Sequence, residues 1–329
     1  MDLIYNGNTS AYFNLASEEC LADGSGSDVI MLWRNDPAVI IGKNQNAYEE
    51  INMEYAHANS IKIVRRLTGG GAVYHDLGNV NYTFITAADA EKTLNFAYFA
   101  EPVIAALSEL GVTAELSGRN DLTAGSLKFS GTAQCVYNGR CGSRIIHHGT
   151  LLFDSRLSEL PRVLTADPEK VRSKNVKSVA GRVTNIRPLL QSDTETEGFI
   201  LCLEKYFERL HGGAFRGLTE TEKNSAERLA KEKYSREEYN LRAPIKYGFS
   251  KKKYYPFGLV QVSFDVKDGK IENFTVCGDF FSTRDIAGLE SMFEGADHTV
   301  SRVSDILRRA ELSAYICGCS AEDLLALII

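Results

Sequence analysis

The chain has 329 residues, 44% of them hydrophobic and 24% charged, with a net charge of −6, seven prolines and no low-complexity tract. It is long enough to bury a sizeable core and suits one large domain plus one small one. The acidic balance argues against a nucleic-acid partner, no apolar run approaches the ~20 residues of a membrane span, and the N-terminus lacks the pattern of a signal peptide, so a cytoplasmic protein is expected.

Residues 29–41, "VIMLWRNDPAVII", hold two short apolar runs broken by Asn35-Asp36-Pro37, the pattern of strand, turn and strand. Residues 46–59 read as a charged surface helix. Ile61 and Ile63 alternate with Lys62 and Val64, and Val80, Tyr82 and Phe84 alternate with Asn79, Asn81 and Thr83. The glycines between them therefore lie on a loop joining two strands. Phe96, Phe99, Val103 and Leu107 follow helical spacing over 94–110, where Pro102 marks a kink or a fresh start and Gly111 a stop.

Residues 115–153 read as strands and turns, with Leu127 and Phe129 on one face and Ser126, Lys128 and Ser130 on the other. His147 and His148 are adjacent and face opposite ways, which is not metal geometry. Helices are expected over 196–210 and 219–233. The segment "RAPIKYGFSKKKYYPFG" reads as a linker, which sets a boundary near 245. Beyond it, Val260, Val262, Phe264 and Val266 alternate up to a hairpin turn at Asp268-Gly269, and Val300, Val303, Leu307 and Ala310 repeat with helical spacing. Seven scattered cysteines, at 20, 135, 141, 202, 277, 317 and 319, point to reduced thiols rather than a disulfide framework.

Two arginines directly before three glycines, "RRLTGGG" at 65–71, pose a specific chemistry. Glycine lets a ligand approach main-chain N–H donors, and arginine adds a permanent bidentate charge, so together they read as a cradle for a phosphate or carboxylate. The stretch is neither a P-loop nor a G-x-G-x-x-G fingerprint, because strand pattern resumes after Gly71. If strand geometry persists through Arg65 and Arg66 they face opposite ways, one toward an internal partner and one toward a ligand, with Asp76, Asn79 and Asn81 crowding polar groups beside it. Lys128 follows Arg119, Asn120 and Asp121 and projects from a strand, where its ammonium suits charge building on a carboxylate or an α-phosphate. The bland alternative is a glycine-rich hairpin with surface arginines and a solvated lysine.

Six segments, "NLASEE" (14–19), "RRLTGGGAVYHDLGNVNYTF" (65–84), "GRNDL" (118–122), "KFSGTA" (128–133), "HHGTLL" (147–152) and "KSVAGRVTNI" (177–186), together resemble the lipoate-protein ligase family, within the wider group that includes biotin ligases. The part beyond 245 is similar to the accessory domain of bacterial two-domain ligases. The resemblance implies an α/β (α+β) fold: a large catalytic domain of mixed β-sheets flanked by helices over 1–245, and a small C-terminal α/β accessory domain over 246–329. It also implies hinge movement, with the lysines at 251–253 near the pivot.

The activity implied is ATP-dependent and has two steps, in which lipoate is activated to lipoyl-AMP and the lipoyl group then passes to a lysine of a carrier, without a covalent enzyme nucleophile. Residue by residue, the resemblance places Arg66, Gly71, Ala72, Val73 and Tyr74 on the nucleotide and intermediate, with Arg65 and Gly70 nearby. Lys128 becomes the catalytic residue, in contact with both the acyl carboxylate and the α-phosphate. Asn79, Asp121, His148 and Thr150 are further binding residues, Asp121 also as a ligand to the Mg²⁺ that ATP brings. Lipoate is a substrate and no tightly bound cofactor is expected. The partners implied are lipoyl domains, namely the glycine-cleavage H protein and the E2 subunits of 2-oxoacid dehydrogenases, served by a monomer. Ala180 and Gly181 depart from the bulkier or polar residues more usual in the family. Two other readings stay open: an octanoyl or lipoyl transferase that needs no ATP and uses Cys135 or Cys141, and a non-catalytic carrier-binding homologue.

Overall fold

The computed structural model describes residues 1–165, 183–241 and 247–329. The chain starts with β1 (Asp2–Asn6), α1 (Ala11–Gly24), β2 (Val29–Trp33), β3 (Ala38–Ile41), α2 (Ala47–Glu50), α3 (Met53–Ala58), β4 (Lys62–Arg65), β5 (Val73–His75) and β6 (Asn79–Ala87). It continues through α4 (Phe96–Glu109), β7 (Glu115–Ser117), β8 (Asp121–Ala124), β9 (Leu127–Gly139) and β10 (Gly142–Leu152). Seven strands form one mixed sheet in the order β1-β2-β6-β10-β9-β8-β7, and β4-β3-β5 form a smaller one.

The apolar run "VIMLW" is unbroken because β2 is covered on both faces. Ile30 and Leu32 join a core with Phe99, Val103 and Leu107 of α4 and with Phe199, Leu203 and Phe207 of the helix Thr196–His211. Val29, Met31 and Trp33 turn the other way, onto Leu15, Leu21 and Ala22 of α1 and onto Ala226 of the helix Glu220–Leu229. The large unit is thus a sheet between two helical layers.

Several expectations need correction. The stretch 46–59 is two short helices, since buried Ile51 makes a strand-like bridge to Leu164 and the Asn52 side chain caps α3 by accepting from Tyr55 N at 3.1 Å. Pro102 lies inside a continuous α4. The regular serine and lysine face around Lys128 does not form: a register shift sets Lys128 opposite Thr123 but Ser130 opposite Leu122, and Phe129 and Ser130 are both fully buried.

The lysines at 251–253 belong to no linker. They lie exposed on β11 (Phe249–Tyr255), an edge of the antiparallel sheet it forms with β12 (Gly258–Lys267) and β13 (Lys270–Gly278). Lysines on an exposed edge discourage strand addition. The expected boundary near 245 falls at 242–246, outside the described residues, as do positions 177–182 of the family-like stretch. The hairpin at Asp268-Gly269 forms as expected, with both residues at positive φ. Helices Ala287–Phe293, Val300–Arg309 and Ala321–Ile328 cover this sheet and give it a core of its own. Among the described residues, no helix is long and apolar enough to cross a membrane.

His147 is placed in the α4-side layer, stacked on Phe99 at 4.5 Å and edge-on to Phe96 at 5.7 Å. Burial pushes its pKa well below the usual histidine value. The unfolded chain therefore takes up a proton there below about pH 6.5 while the folded chain does not, so the fold loses stability as the pH falls. We expect urea unfolding at pH 5 to show a loss relative to pH 7 that is about 2 kcal/mol smaller in His147→Leu than in the wild type. Equal pH slopes in the two proteins would show that His147 titrates normally.

Candidate functional site

The glycine loop leaves β4 at two buried arginines, neither of which is free for a ligand in the manner expected. The Arg65 guanidinium donates to the carbonyls of Gly42 (2.9 Å), Lys43 (3.1 Å), Gln45 (2.7 Å), Tyr239 (3.2 Å) and Asn240 (2.8 Å). It does not line the cavity described below, and its role is to tie three chain segments together. Arg66 donates to the carbonyls of Ile40 (3.0 Å), Gly69 (2.6 Å) and Gly71 (2.9 Å) and to Thr68 Oγ1 (2.9 Å), so it shapes the loop from within while lining the cavity. Burial lowers its pKa to about 10, which leaves it charged at neutral pH.

The glycines divide by geometry. A Cβ on Gly42 would sit 2.0 Å from Gly70 O, and one on Gly69 would sit 2.3 Å from Phe280 O in the small unit. Gly70 itself has φ +85°. A Cβ on Gly71 would meet nothing within 4 Å, so this is the glycine with open space beside it.

That space belongs to a cavity of about 120 Å³ lined by Leu15, Trp33, Ile40, Arg66, Gly70, Gly71, Ala72, Val73, His75, Asn81, Asn120, Lys128, Gly131, Thr132, Ala133, His148, Gly149 and Thr150. These residues come from α1, from β2, β6, β9 and β10 of the large sheet, from β3 and β5 of the smaller one and from the adjoining loops, so the two sheets meet at the site. Lys128 Nζ pairs with Asp121 Oδ1 at 2.7 Å, and Thr150 Oγ1 accepts from Gly131 N at 3.1 Å on the neighbouring strand.

One buried chain of hydrogen bonds crosses from β2 to the glycine loop. Trp33 Nε1 donates to Thr83 Oγ1 (2.8 Å), which donates to Glu18 Oε1 (2.6 Å); Glu18 Oε1 faces His148 Nδ1 (2.9 Å), and His148 Nε2 faces Thr68 Oγ1 (2.8 Å). The Glu18 carboxylate only accepts, so His148 Nδ1 carries a hydrogen and donates it there, and in the neutral ring Nε2 accepts from the Thr68 hydroxyl. His148 thereby couples α1 to the loop.

The structure thus brings Arg66, Gly70, Gly71, Ala72, Val73, Lys128, His148 and Thr150 to one cavity. It does not bring Arg65, Tyr74 or Asn79 there. Tyr74 alternates with cavity-lining Val73 and His75 and so turns into the core with Val39 and Ile41, while Asn79 donates to Asn81 Oδ1 at 2.9 Å. Asp121 stands beside Lys128 but outside the lining, and Asp76 is used in a turn, accepting from Gly78 N and Arg156 N. Among the described residues, no group of three or more His, Cys, Asp or Glu converges as a metal site.

The residues that sequence reading missed are Glu18, Thr68 and Thr83 in the relay and Leu15, Trp33, Ile40, His75, Gly131, Thr132, Ala133 and Gly149 in the lining. Leu15 and Glu18 lie within "NLASEE" and His75 within "VYHD", so a signal for them was present.

The small unit closes one side. Phe281 is buried against Phe96 and Ala133, Gly70 N approaches Phe280 O at 3.4 Å, and the Arg119 guanidinium lies 4.3 Å from the Phe281 ring.

Comparison with known proteins gives one answer. Residues 10–208 match the model of the lipoyl protein ligase A/B catalytic domain, and residues 245–328 match that of the bacterial lipoate protein ligase C-terminus. The chain is 40% identical to lipoate-protein ligase LplJ of Bacillus subtilis over 96% of each chain, and 38% identical to lipoate–protein ligase 1 of Staphylococcus aureus over 100% of each. Among solved structures, a lipoate-protein ligase A bound with ATP is 29% identical with a TM-score of 0.62, over 73% of this chain and 98% of that one. A bi-partite lipoate protein ligase of Thermoplasma acidophilum, described with its E2 lipoyl domain, is 30% identical with a TM-score of 0.64, over 75% and 98%.

The glycine geometry separates fold from ligand space. Gly42→Ala should lower unfolding free energy by roughly 1–3 kcal/mol, because it must push the Gly70 carbonyl aside. Gly71→Ala should stay within about 0.5 kcal/mol of wild type yet weaken ligand binding in the cavity. Thermal unfolding and calorimetric binding on both variants check this, and a destabilised Gly71→Ala would show that its open space is illusory.

Proposed function

The chain belongs to the lipoate-protein ligase family, and on that premise we propose that it activates lipoate with ATP and transfers the lipoyl group to a lysine of a lipoyl domain. In the first step a lipoate carboxylate oxygen bonds to the α-phosphorus of ATP and pyrophosphate leaves with the electron pair. In the second, a carrier lysine amine attacks the acyl carbon of lipoyl-AMP, loses a proton and expels AMP. The observation that carries this reading is the convergence of Lys128, the glycine loop and an apolar wall of Leu15, Trp33, Ile40, Val73 and Ala133 on one cavity.

Lys128 takes the catalytic role. Its ammonium, steered by Asp121, offsets charge that develops between the carboxylate and the α-phosphate. Gly71 lets the nucleotide approach the main chain, and Arg66 keeps the loop in shape while adding positive potential from within. His148 and Thr150 position the loop and the Lys128 strand.

Mg²⁺ enters as part of the ATP substrate. One carboxylate beside Lys128 fits an ion that is held mainly by phosphates and water, and Asp121 would supply it.

The cavity of about 120 Å³ is small beside the roughly 300–1,000 Å³ of sites that enclose ligands of adenylate size. Phe281 packs on the lining residue Ala133, so movement of the small unit away from the glycine loop is the proposed route by which the site admits the intermediate, and it gives the two proposed domains, 1–245 and 246–329, a part in the cycle. Lipoyl domains of the H protein and E2 subunits are the proposed carriers.

The cysteine-dependent transferase is the weaker reading. Burial pushes the Cys135 thiol up to about 12, Cys141 is exposed, and neither lines the cavity.

Lipoate-dependent exchange of pyrophosphate into ATP tests the proposal. Wild type should exchange, Lys128→Ala should lose about 10²–10³-fold, and Cys135→Ser should keep its rate. Acyl transfer without ATP that vanishes in Cys135→Ser would establish the transferase instead.

A further inference from the structure

The turn between β7 and β8 is held from two sides. In the large unit, Asn120 is clamped to Thr132 of β9: its Nδ2 donates to Thr132 O at 2.6 Å, and its carbonyl accepts from Thr132 N (2.8 Å) and Thr132 Oγ1 (3.1 Å). Toward the small unit, the Arg119 guanidinium donates to Phe257 O through Nη1 and reaches Asp279 O through Nη2 at 3.5 Å, and it lies 4.3 Å from the centre of the Phe281 ring. The small unit offers these groups as one seat, because Asp279 and Leu259 are tied both ways: Asp279 N donates to Leu259 O (3.2 Å), and Asp279 Oδ1 accepts from Leu259 N (2.6 Å). A guanidinium suits such a seat, since its planar fork meets two carbonyls while its face covers a ring.

The residue that follows this turn is the partner of Lys128. Asp121 opens β8 opposite Ser117 and Gly131, and its Oδ1 holds Lys128 Nζ at 2.7 Å. Gly131 leaves room for the ammonium, because a Cβ there would stand 3.0 Å from Nζ. The side chains of Lys128 and Asp121 are 35% and 37% exposed, so packing does not fix the pair. Where the ammonium stands depends on the backbone that carries Asp121.

The contacts around that backbone close into a ring. Arg119 lies on Phe281, Phe281 packs against Ala133, Ala133 follows Thr132 in β9, and Thr132 clamps Asn120 beside Arg119. Arg119 is where the small unit grips the turn. It is itself exposed, so these contacts add little to overall stability and act mainly on where the turn stands.

We propose that Arg119 is a positioning residue for adenylation: seated on the small unit, it fixes the turn that carries Asp121, and Asp121 directs Lys128 Nζ at the reacting carboxylate and α-phosphate. The inference rests on the ligase reading for the role of Lys128, and it adds the route by which the small unit acts on that lysine.

The test is a double-mutant cycle in the full-length protein, read as lipoate-dependent exchange of pyrophosphate into ATP. Arg119→Ala should keep the wild-type unfolding midpoint and KM for ATP and lose roughly tenfold in kcat, as expected when a reacting group is displaced. Arg119→Lys should stay within about twofold of Arg119→Ala, because an ammonium keeps the charge but lacks the fork. In an Asp121→Ala background the loss of Arg119 should cost less than about twofold, since residues that act through one another are not additive. A wild-type kcat in Arg119→Ala would overturn the proposal, and that comparison decides even if Asp121→Ala has no measurable rate. Full activity in Arg119→Lys, or a raised KM for ATP at unchanged kcat, would also overturn it, by making Arg119 a charge that meets the phosphates directly. Losses that multiply in the double variant would exclude action through Asp121. A folded wild type without lipoate-dependent exchange would instead remove the ligase reading, and this inference with it.

Discussion

A guanidinium withdrawn from water must be met by acceptors on nearly every N–H, and in this protein that requirement arises twice in succession, at Arg65 and Arg66. The acceptors are almost all main-chain carbonyls, so each arginine specifies the path of the backbone around it. Arg65 gathers 42–45 and 239–240 around the end of β4. Arg66 curls 66–71 back on itself beside Ile40. The glycine loop is therefore a rigid cradle, and its open side is a consequence of where the two side chains take their carbonyls.

The relay from Trp33 to Thr68 extends that rigidity to the far wall of the cavity. It buries a carboxylate, Glu18, but engages it with both a hydroxyl and an imidazole, which keeps the cost of desolvating it within bounds. The glycine loop and the apolar wall of the cavity are thus held in one hydrogen-bonded frame spanning α1, β2, β6 and β10.

Much of this was legible in the sequence, for physical reasons that can be named. Strands with one buried face and strands buried on both faces leave period-two or continuous apolar patterns, so β2, β6 and β12 were readable from their own residues. The glycine loop was readable because only glycine suits such close approaches. The opposite facing of His147 and His148 followed from the pleat alone. What could not be read depended on partners far along the chain. The carbonyls that occupy Arg65 come in part from 239–240, the partner of the Lys128 ammonium is set by the β8–β9 register shift, and nothing local marks that shift. The lysines at 251–253 looked like a linker because an exposed edge strand has no apolar face of its own to display there.

The seam between the small unit and the glycine loop is built largely at the level of the main chain: Gly70 N toward Phe280 O, Gly278 N to Asn44 O at 2.9 Å, and a Gly69 at which any Cβ would run into Phe280 O. Side chains join it where Phe281 packs against Phe96 and Ala133, whereas its charged contacts, Lys43 with Asp285 at 2.9 Å and Lys252 with Glu49 at 3.4 Å, are partly exposed and add little. A joint of this kind makes few demands on the rest of the small unit's surface. With a core of its own, that unit leaves its outer surface open to redesign so long as the backbone path through 278–281 and the Phe281 ring are kept.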